Sequence, residues 1–172
     1  MKPTTKTTIE RTPAVVAVLL AAAALAACAS LRAPGALPAG TPIAEARQSF
    51  GGPSAEYPLA DGGTRLEFRQ GRQTYLLAFD AGGHLVSTRQ VLNPETFATI
   101  TPGMTHDEVL ARIGRPAFVT PIGWQKLQLW SYRFGGLEGD CVVFQVSIGN
   151  ATHTVADTGP NMDPACDHGA RD

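Results

Sequence analysis

Gly103–Pro116 reads GMTHDEVLARIGRP and has an earlier counterpart, Gly40–Pro53, GTPIAEARQSFGGP. Gly40 matches Gly103, Glu45 matches Glu108, Phe50 matches Ile113, Gly51 matches Gly114 and Pro53 matches Pro116, every pair 63 residues apart. Matches held in register at one spacing mark a structural unit used twice. The chain is therefore constrained to a fold that two like halves can build.

The second copy carries the clearer helix signals. Thr105 is an N-cap and Glu108, three residues on, completes a capping box. Met104 before the cap is placed to staple against Val109. Val109, Leu110 and Ile113 form one apolar stripe, Gly114 suits a left-handed stop, and Pro116 prevents continuation. In the first copy Pro42 stands where Thr105 does, so the pattern predicts Thr41 as cap and Pro42 as first helical residue.

Each helix is followed by alternating segments. Thr64–Gln70, TRLEFRQ, puts Leu66 and Phe68 on one face and Arg65, Glu67 and Arg69 on the other, the period of a half-buried strand. Gln73–Asp80 follows with Tyr75, Leu77 and Phe79 inward, then the DAGG turn and a third strand over His84–Val91. In the second half Asn93–Ile100 is a short helix capped by Asn93 with Pro94 at N1. Leu127–Phe134 and Cys141–Ile148 repeat the two inward patterns through Trp130, Tyr132, Phe144, Val146 and Ile148. A short strand over His153–Asp157 closes the unit. The expected fold class is α+β: two repeats, 40–91 and 92–157, each a short helix or helix pair on a three-stranded antiparallel sheet. A polar C-terminal tail, 158–172, follows.

Met1–Ala27 has the anatomy of a secretory signal: Lys2, Lys6 and Arg11, then 14 apolar residues from Ala14 to Ala27, short for a membrane span. Without it 11 basic and 14 acidic residues remain, which gives no electrostatic basis for nucleic acid binding. Leu25-Ala26-Ala27-Cys28 resembles the lipobox of bacterial lipoproteins. That resemblance implies cleavage before Cys28, thioether lipidation of its thiol and acylation of the new N-terminus, an attachment that several buried acyl chains make permanent. The alternative is an ordinary signal with an incidental cysteine. Ala29 after the cysteine favours the outer membrane by the sorting rule of enteric bacteria. Residues 28–39, rich in Pro, Gly and Ala, read as a flexible tether.

The run Asn93-Pro94-Glu95-Thr96-Phe97, Ile100, Gly103-Met104-Thr105, Glu108-Val109, Gly114-Arg115-Pro116 and Trp130-Ser131-Tyr132 resembles the SmpA/OmlA (BamE-like) family of outer-membrane lipoproteins. It covers Leu92–Val155 directly and Gly40–Val91 through the repeat. The resemblance implies helices on one face of an antiparallel sheet, a lipid-anchored location facing the periplasm, and envelope proteins of the barrel assembly machinery as partners. BamE-like proteins carry one unit and this chain reads as two. The β-lactamase inhibitor proteins, built from similar tandem repeats, are the second resemblance and imply an inhibitor or ligand-binding module.

Export leaves Cys141 and Cys166 in an oxidising compartment, where two remaining thiols are expected to pair. The bond closes 25 residues, for which loop entropy gives about 3–4 kcal/mol. Metal binding by Cys166, Asp163, Asp167 and His168 is the alternative, although no known ligand spacing is matched. There is no nucleophile elbow, zinc-protease, P-loop or Cys-x-x-Cys motif. His106 at the helix start reads as solvent-facing, and His84 and His153 as equivalent hairpin residues. No catalytic residue, cofactor or metal is therefore assigned. If the Trp130 face meets the helices, Leu127, Leu129 and Val143 point the other way, and Leu76 does so in the first unit. With Trp124 in its Pro/Gly loop these are the candidate interface residues, unless the tail or the linker covers that face.

The anchor generates the first prediction. Metabolic palmitate labels the wild-type protein and leaves Cys28→Ala unlabelled; equal labelling of the two refutes lipidation.

Overall fold

A computed structural model describes residues 33–135 and 141–169, with side chains described as far as Cys166. Cys28, the leader and the last residues of the tail lie outside the described residues. The fold is α+β, with two four-stranded antiparallel sheets and few helices. Helix α1 spans Ile43–Phe50 and precedes β1 (Ala55–Pro58), β2 (Thr64–Gln70), β3 (Gln73–Phe79) and β4 (Leu85–Gln90). Helices α2 (Pro94–Phe97) and α3 (His106–Ile113) precede β5 (Phe118–Ile122), β6 (Leu127–Arg133), β7 (Val142–Gly149) and β8 (Val155–Met162). Strand order is β1-β2-β3-β4 in one sheet and β5-β6-β7-β8 in the other.

The two halves make matching backbone joints, 63 residues apart at the helix start and 70 apart at the hairpin (103 − 40 and 155 − 85). Gly40 meets Leu85 as Gly103 meets Val155: Gly40 N–H donates to the Leu85 carbonyl at 2.8 Å, and Gly103 N–H to that of Val155 at 2.8 Å. The first amide of each long helix reaches the following hairpin alike, Ile43 to Gly83 and His106 to His153. The third and fourth strands of each sheet share a register shift at matching places, Ala78/Phe79 and Ser147/Ile148. The hairpin residue needs a positive φ, supplied by Gly83 at 77° and by His153 at 53°. His153 thus corresponds to Gly83, and the expected pairing of His84 with His153 is off by one.

Helix α3 forms as its signals predict. The Thr105 and Glu108 capping box is closed in both directions, and Val109 and Ile113 are buried. Asn93 caps α2 by accepting the Thr96 N–H at 2.9 Å. Helix α1 departs from expectation. It starts at Ile43 after Pro42 with no side-chain cap, because Thr41 is buried and its hydroxyl donates to the Pro38 carbonyl at 2.7 Å.

Each sheet has four strands where three were expected. The added strands, β1 and β5, are short edge strands that end on or contain Pro58 and Pro121. A proline in so short a run argues against a strand, yet an edge strand can turn the missing N–H to solvent. Residues 34–39 are not a free tether. Pro34–Ala36 forms a 3-10 turn with Pro34 buried, and Leu37 packs on the core of the first sheet. Strand β8 runs to Met162, so the irregular tail begins later than expected.

The two cores lie on opposite faces of the first sheet. Ala46 of α1 packs on Leu66, Phe68, Tyr75, Leu77 and Phe79, the face of the first sheet that the alternation marks. The opposite face of that sheet is covered as well. Leu76 joins Val109 and Ile113 of α3 and Trp130, Tyr132, Phe144 and Val146 of the second sheet in a single cluster. Arg65 donates to the Ala111 carbonyl at 3.1 Å. The layers therefore run α1, first sheet, α3, second sheet.

The junction is fixed by a fully buried carboxylate. Glu67 accepts from Ser54 Oγ (3.1 Å), Tyr57 Oη (3.0 Å), Arg69 Nε (3.2 Å) and the Arg115 amide (3.0 Å). Gly114, φ 73°, lets the chain pass beside it: a Cβ there would stand 2.8 Å from Glu67 Oε2. Burial, and then the charge of Glu67, push the Tyr57 phenol up to about 12, so it stays a donor.

Removing the Glu67 carboxylate strands four donors, one of them a guanidinium. Glu67→Ala lowers unfolding free energy in urea by about 3 kcal/mol or more. Glu45→Ala, at an exposed helical glutamate, stays within about 0.5 kcal/mol. Equal effects would remove Glu67 from the centre of this account.

Candidate functional surface

The first sheet is covered on both faces, and the second is covered by helices on one. Its outer face carries Phe118 and Ile122 of β5, Leu127, Leu129, Ser131 and Arg133 of β6, Val143 and Gln145 of β7, and Asn161 of β8, by register. Strand directions divide this face into two ends, because Arg133 pairs with Val143 and Leu127 with Gly149.

The Val143 end is closed. Cys141 and Cys166 are joined, with their Cα atoms 5.6 Å apart, so the expected disulfide is present. Asp163 N–H donates to the Cys141 carbonyl at 2.8 Å. The Asp163 carboxylate is almost fully buried and is gripped by Arg133 through Nε at 2.5 Å and Nη2 at 3.0 Å. Arg133 also lies over the Phe118 ring, 5.0 Å from its centroid. Beside this clamp Gln145 donates to Ser131 Oγ, and Asn161 to Gln145 Oε1. Asp163 and Cys166 are thereby committed to Arg133 and to Cys141, which takes two members from the alternative metal set; the side chains of Asp167 and His168 lie outside the described residues.

The Leu127 end is open. Leu127, Leu129 and Ile122 are half-buried. Trp124 stands in the 3-10 turn Gly123–Gln125 between β5 and β6 and is 84 % exposed. The turn is built, not slack: Lys126 takes a left-handed φ of 54°, its amide donates to the Gly123 carbonyl, and its carbonyl accepts from Asn150 of the neighbouring hairpin at 3.0 Å. A tryptophan held out by a fixed turn beside half-buried leucines presents apolar area without the cost of ordering a loop.

Of the five candidate interface residues, Leu127 and Leu129 share the open end of the face, Trp124 stands exposed in the turn just before them, and the other two are buried. Leu76 is 2 % exposed because α3 and the second sheet pack against it. Val143 is fully buried beneath the end of the face that the disulfide closes. The sequence marked their side of each strand but not what covers it. The histidines are structural neighbours. His84 pairs with Asp80 in its hairpin (3.6 Å), and His106 packs edge-on against Trp130 at 5.7 Å, near His153, instead of standing wholly in solvent.

No family model matches the chain, and no curated protein matches it. Among solved structures it is similar to a chain described as "putative beta-lactamase inhibitor protein" from Streptococcus mutans. The two are 11% identical with a TM-score of 0.33, over 71% of this chain and 83% of that one. A second similar chain is a cysteine-rich secretory protein from Staphylococcus aureus, 15% identical with a TM-score of 0.27. That likeness covers 74% of this chain and 45% of the other. Both likenesses are distant.

The Arg133 bonds, aided by the Ala165 amide and the charge of Arg72, hold the Asp163 carboxyl below the usual carboxylate range against the opposing effect of burial. A depressed folded pKa stabilises the fold above the ordinary aspartate range and loses that contribution as pH falls through the folded value. Unfolding midpoints measured across acidic pH therefore drop below about pH 4 in the wild type. Asp163→Asn is less stable at neutral pH and shows a shallower acid decline. An unchanged acid limb would place that decline elsewhere.

Proposed function

We propose that this chain is a non-enzymatic, lipid-anchored protein-binding module of the outer membrane, facing the periplasm. In this reading it is a two-unit relative of the SmpA/OmlA (BamE-like) proteins, accessory to outer-membrane protein assembly or envelope integrity. The carrying observation is the open end of the second sheet. Trp124 projects from a fixed turn beside Leu127 and Leu129, while the rest of that face is closed by the tail. The lipobox-like Leu25–Cys28 and the motif running from Asn93 to Tyr132 support the location and the family.

A second reading is a tandem-repeat inhibitor or ligand-binding module similar to the β-lactamase inhibitor proteins. It is favoured by the way Glu67 and helix α3, packed against Leu76 of the first sheet and the second sheet, join the units into one continuous body, which presents a wide, preformed surface.

Mild crosslinking in intact cells followed by affinity purification separates the two. Recovery of barrel-assembly subunits supports the first reading, and recovery of a single hydrolase supports the second. Trp124→Ala changes stability by no more than about 0.5 kcal/mol and weakens capture of the specific partner by about 2 kcal/mol or more. Capture indifferent to Trp124 removes this surface from the proposal.

A further inference from the structure

The joint between the start of α3 and the β7–β8 hairpin matches the joint between α1 and the β3–β4 hairpin, but it carries different side chains. Ile43 and Gly83 stand at the first joint, His106 and His153 at the second. The backbone fixes which way these positions face. A Cβ placed on Gly83 would stand 3.4 Å from Ile43 Cγ2, so side chains at the two positions point at one another. In the second unit the same bond, from the His106 N–H to the His153 carbonyl at 2.9 Å, brings two imidazoles together there. Their ring centroids are 6.4 Å apart and the rings are tilted by 56°.

Both rings have nitrogen to spare. His106 Nδ1 faces Asp107 Oδ1 at 3.2 Å. Among the described residues, no hydrogen-bond partner stands at its Nε2 or at either ring nitrogen of His153. A carboxylate beside one ring nitrogen orients a ligating histidine and makes the other nitrogen a better donor. The His106 ring also lies edge-on to Trp130, 5.7 Å between centroids, which limits its swing. The positive end of α3 would repel a cation, but Asp107 and Glu108 in its first turn offset that effect. His153 keeps its imidazole at a φ of 53°, a conformation that glycine takes more easily at the matching Gly83.

We infer that His106 and His153 form a two-histidine site for a divalent transition-metal ion, with Cu²⁺ preferred. Two imidazoles bonded to one ion at about 2.0–2.1 Å have ring centroids about 4.5–6.4 Å apart, depending on the angle at the metal. The spacing here lies at the wide end of that range, and a modest rotation of the exposed His153 side chain narrows it. Imidazole suits copper, zinc and nickel, and affinity along the divalent series peaks at Cu²⁺. Among the described residues no third His, Cys, Asp or Glu completes the set, so water fills the remaining positions. The bound ion ties the hairpin to the helix and stabilises the native chain by linkage. The site shares no residue with the Trp124 surface, so it stands or falls independently of the function proposed above.

The test uses the purified full-length chain without a histidine tag, carrying Trp124→Ala so that Trp130 is its one tryptophan. Cu²⁺ is titrated in while Trp130 emission is read. The expected result is saturable quenching at one ion per chain, an electron paramagnetic resonance spectrum of Cu²⁺ bound by two nitrogens, and a melting temperature that rises with Cu²⁺. Mg²⁺ has none of these effects. His153→Gly and His106→Ile install the residues of the first unit and therefore keep the fold. Each weakens Cu²⁺ binding by about a hundredfold, the upper end of what loss of even an outer-shell partner costs. Without metal, His153→Gly melts no lower than its parent, because glycine suits the positive φ. His84→Ala, in the other hairpin, leaves affinity unchanged. Absence of quenching up to about 0.1 mM Cu²⁺, binding that survives both joint substitutions, or equal weakening by His84→Ala overturns the proposal.

Discussion

A carboxylate with no contact to water decides how the halves of this protein sit together. Glu67 lies in the middle of a strand whose inward neighbours, Leu66 and Phe68, build one core, while its own side chain enters the other. Its acceptor oxygens join β2, the segments around Ser54 and Tyr57, and the amide just after α3. A buried ion is poor at adding stability over an apolar substitute, but it tolerates very few arrangements of its donors. The orientation of the second unit on the first is one of those arrangements. Gly114 is required beside it for the same reason, since only a residue without a side chain leaves room for the oxygens.

The likeness of the two halves holds in the backbone bonds at their helix starts and is broken in how the faces are used. Both units place a long helix on one face of a four-stranded sheet and pin its start with matching amide bonds. The first unit then gives its outer face to α3, and so becomes part of the second core. The second unit has no third unit to cover its outer face. One end is closed instead by a disulfide and by the Arg133–Asp163 pair, and the other end is left with Trp124 and two half-buried leucines. The surface available for recognition is what remains when a two-unit stack ends.

The same asymmetry collects the arginines. A strand that alternates Arg65, Glu67 and Arg69 would be an ordinary wet face in an isolated unit. Set against the loop after α3 and the end of β6, those side chains become interior or junctional, and each must be given a hydrogen-bond partner. Two carboxylates and several main-chain carbonyl oxygens serve as acceptors.

Local chemistry made much of the fold legible. The Thr105 and Glu108 box, the Asn93 cap and the inward rows through Leu66, Phe68, Trp130 and Tyr132 follow from spacing and period, and the pairing of Cys141 with Cys166 agrees with the expectation of an oxidising compartment. The fourth strands were hidden because a few residues ending at or holding a proline carry too little period. The Thr41 cap was misplaced because a neighbouring carbonyl outcompeted the helix for its hydroxyl. What the chain could not declare in one dimension is the covering of faces. Alternation says that Glu67, Leu76 and Val143 point away from the row that meets their own unit's helix, but only tertiary packing puts α3 over the first two and closes the end that holds the third. Periodicity reports the direction of a side chain relative to its own strand, whereas burial depends on segments tens of residues away, and that difference separates the exposed Trp124 from the buried Leu76.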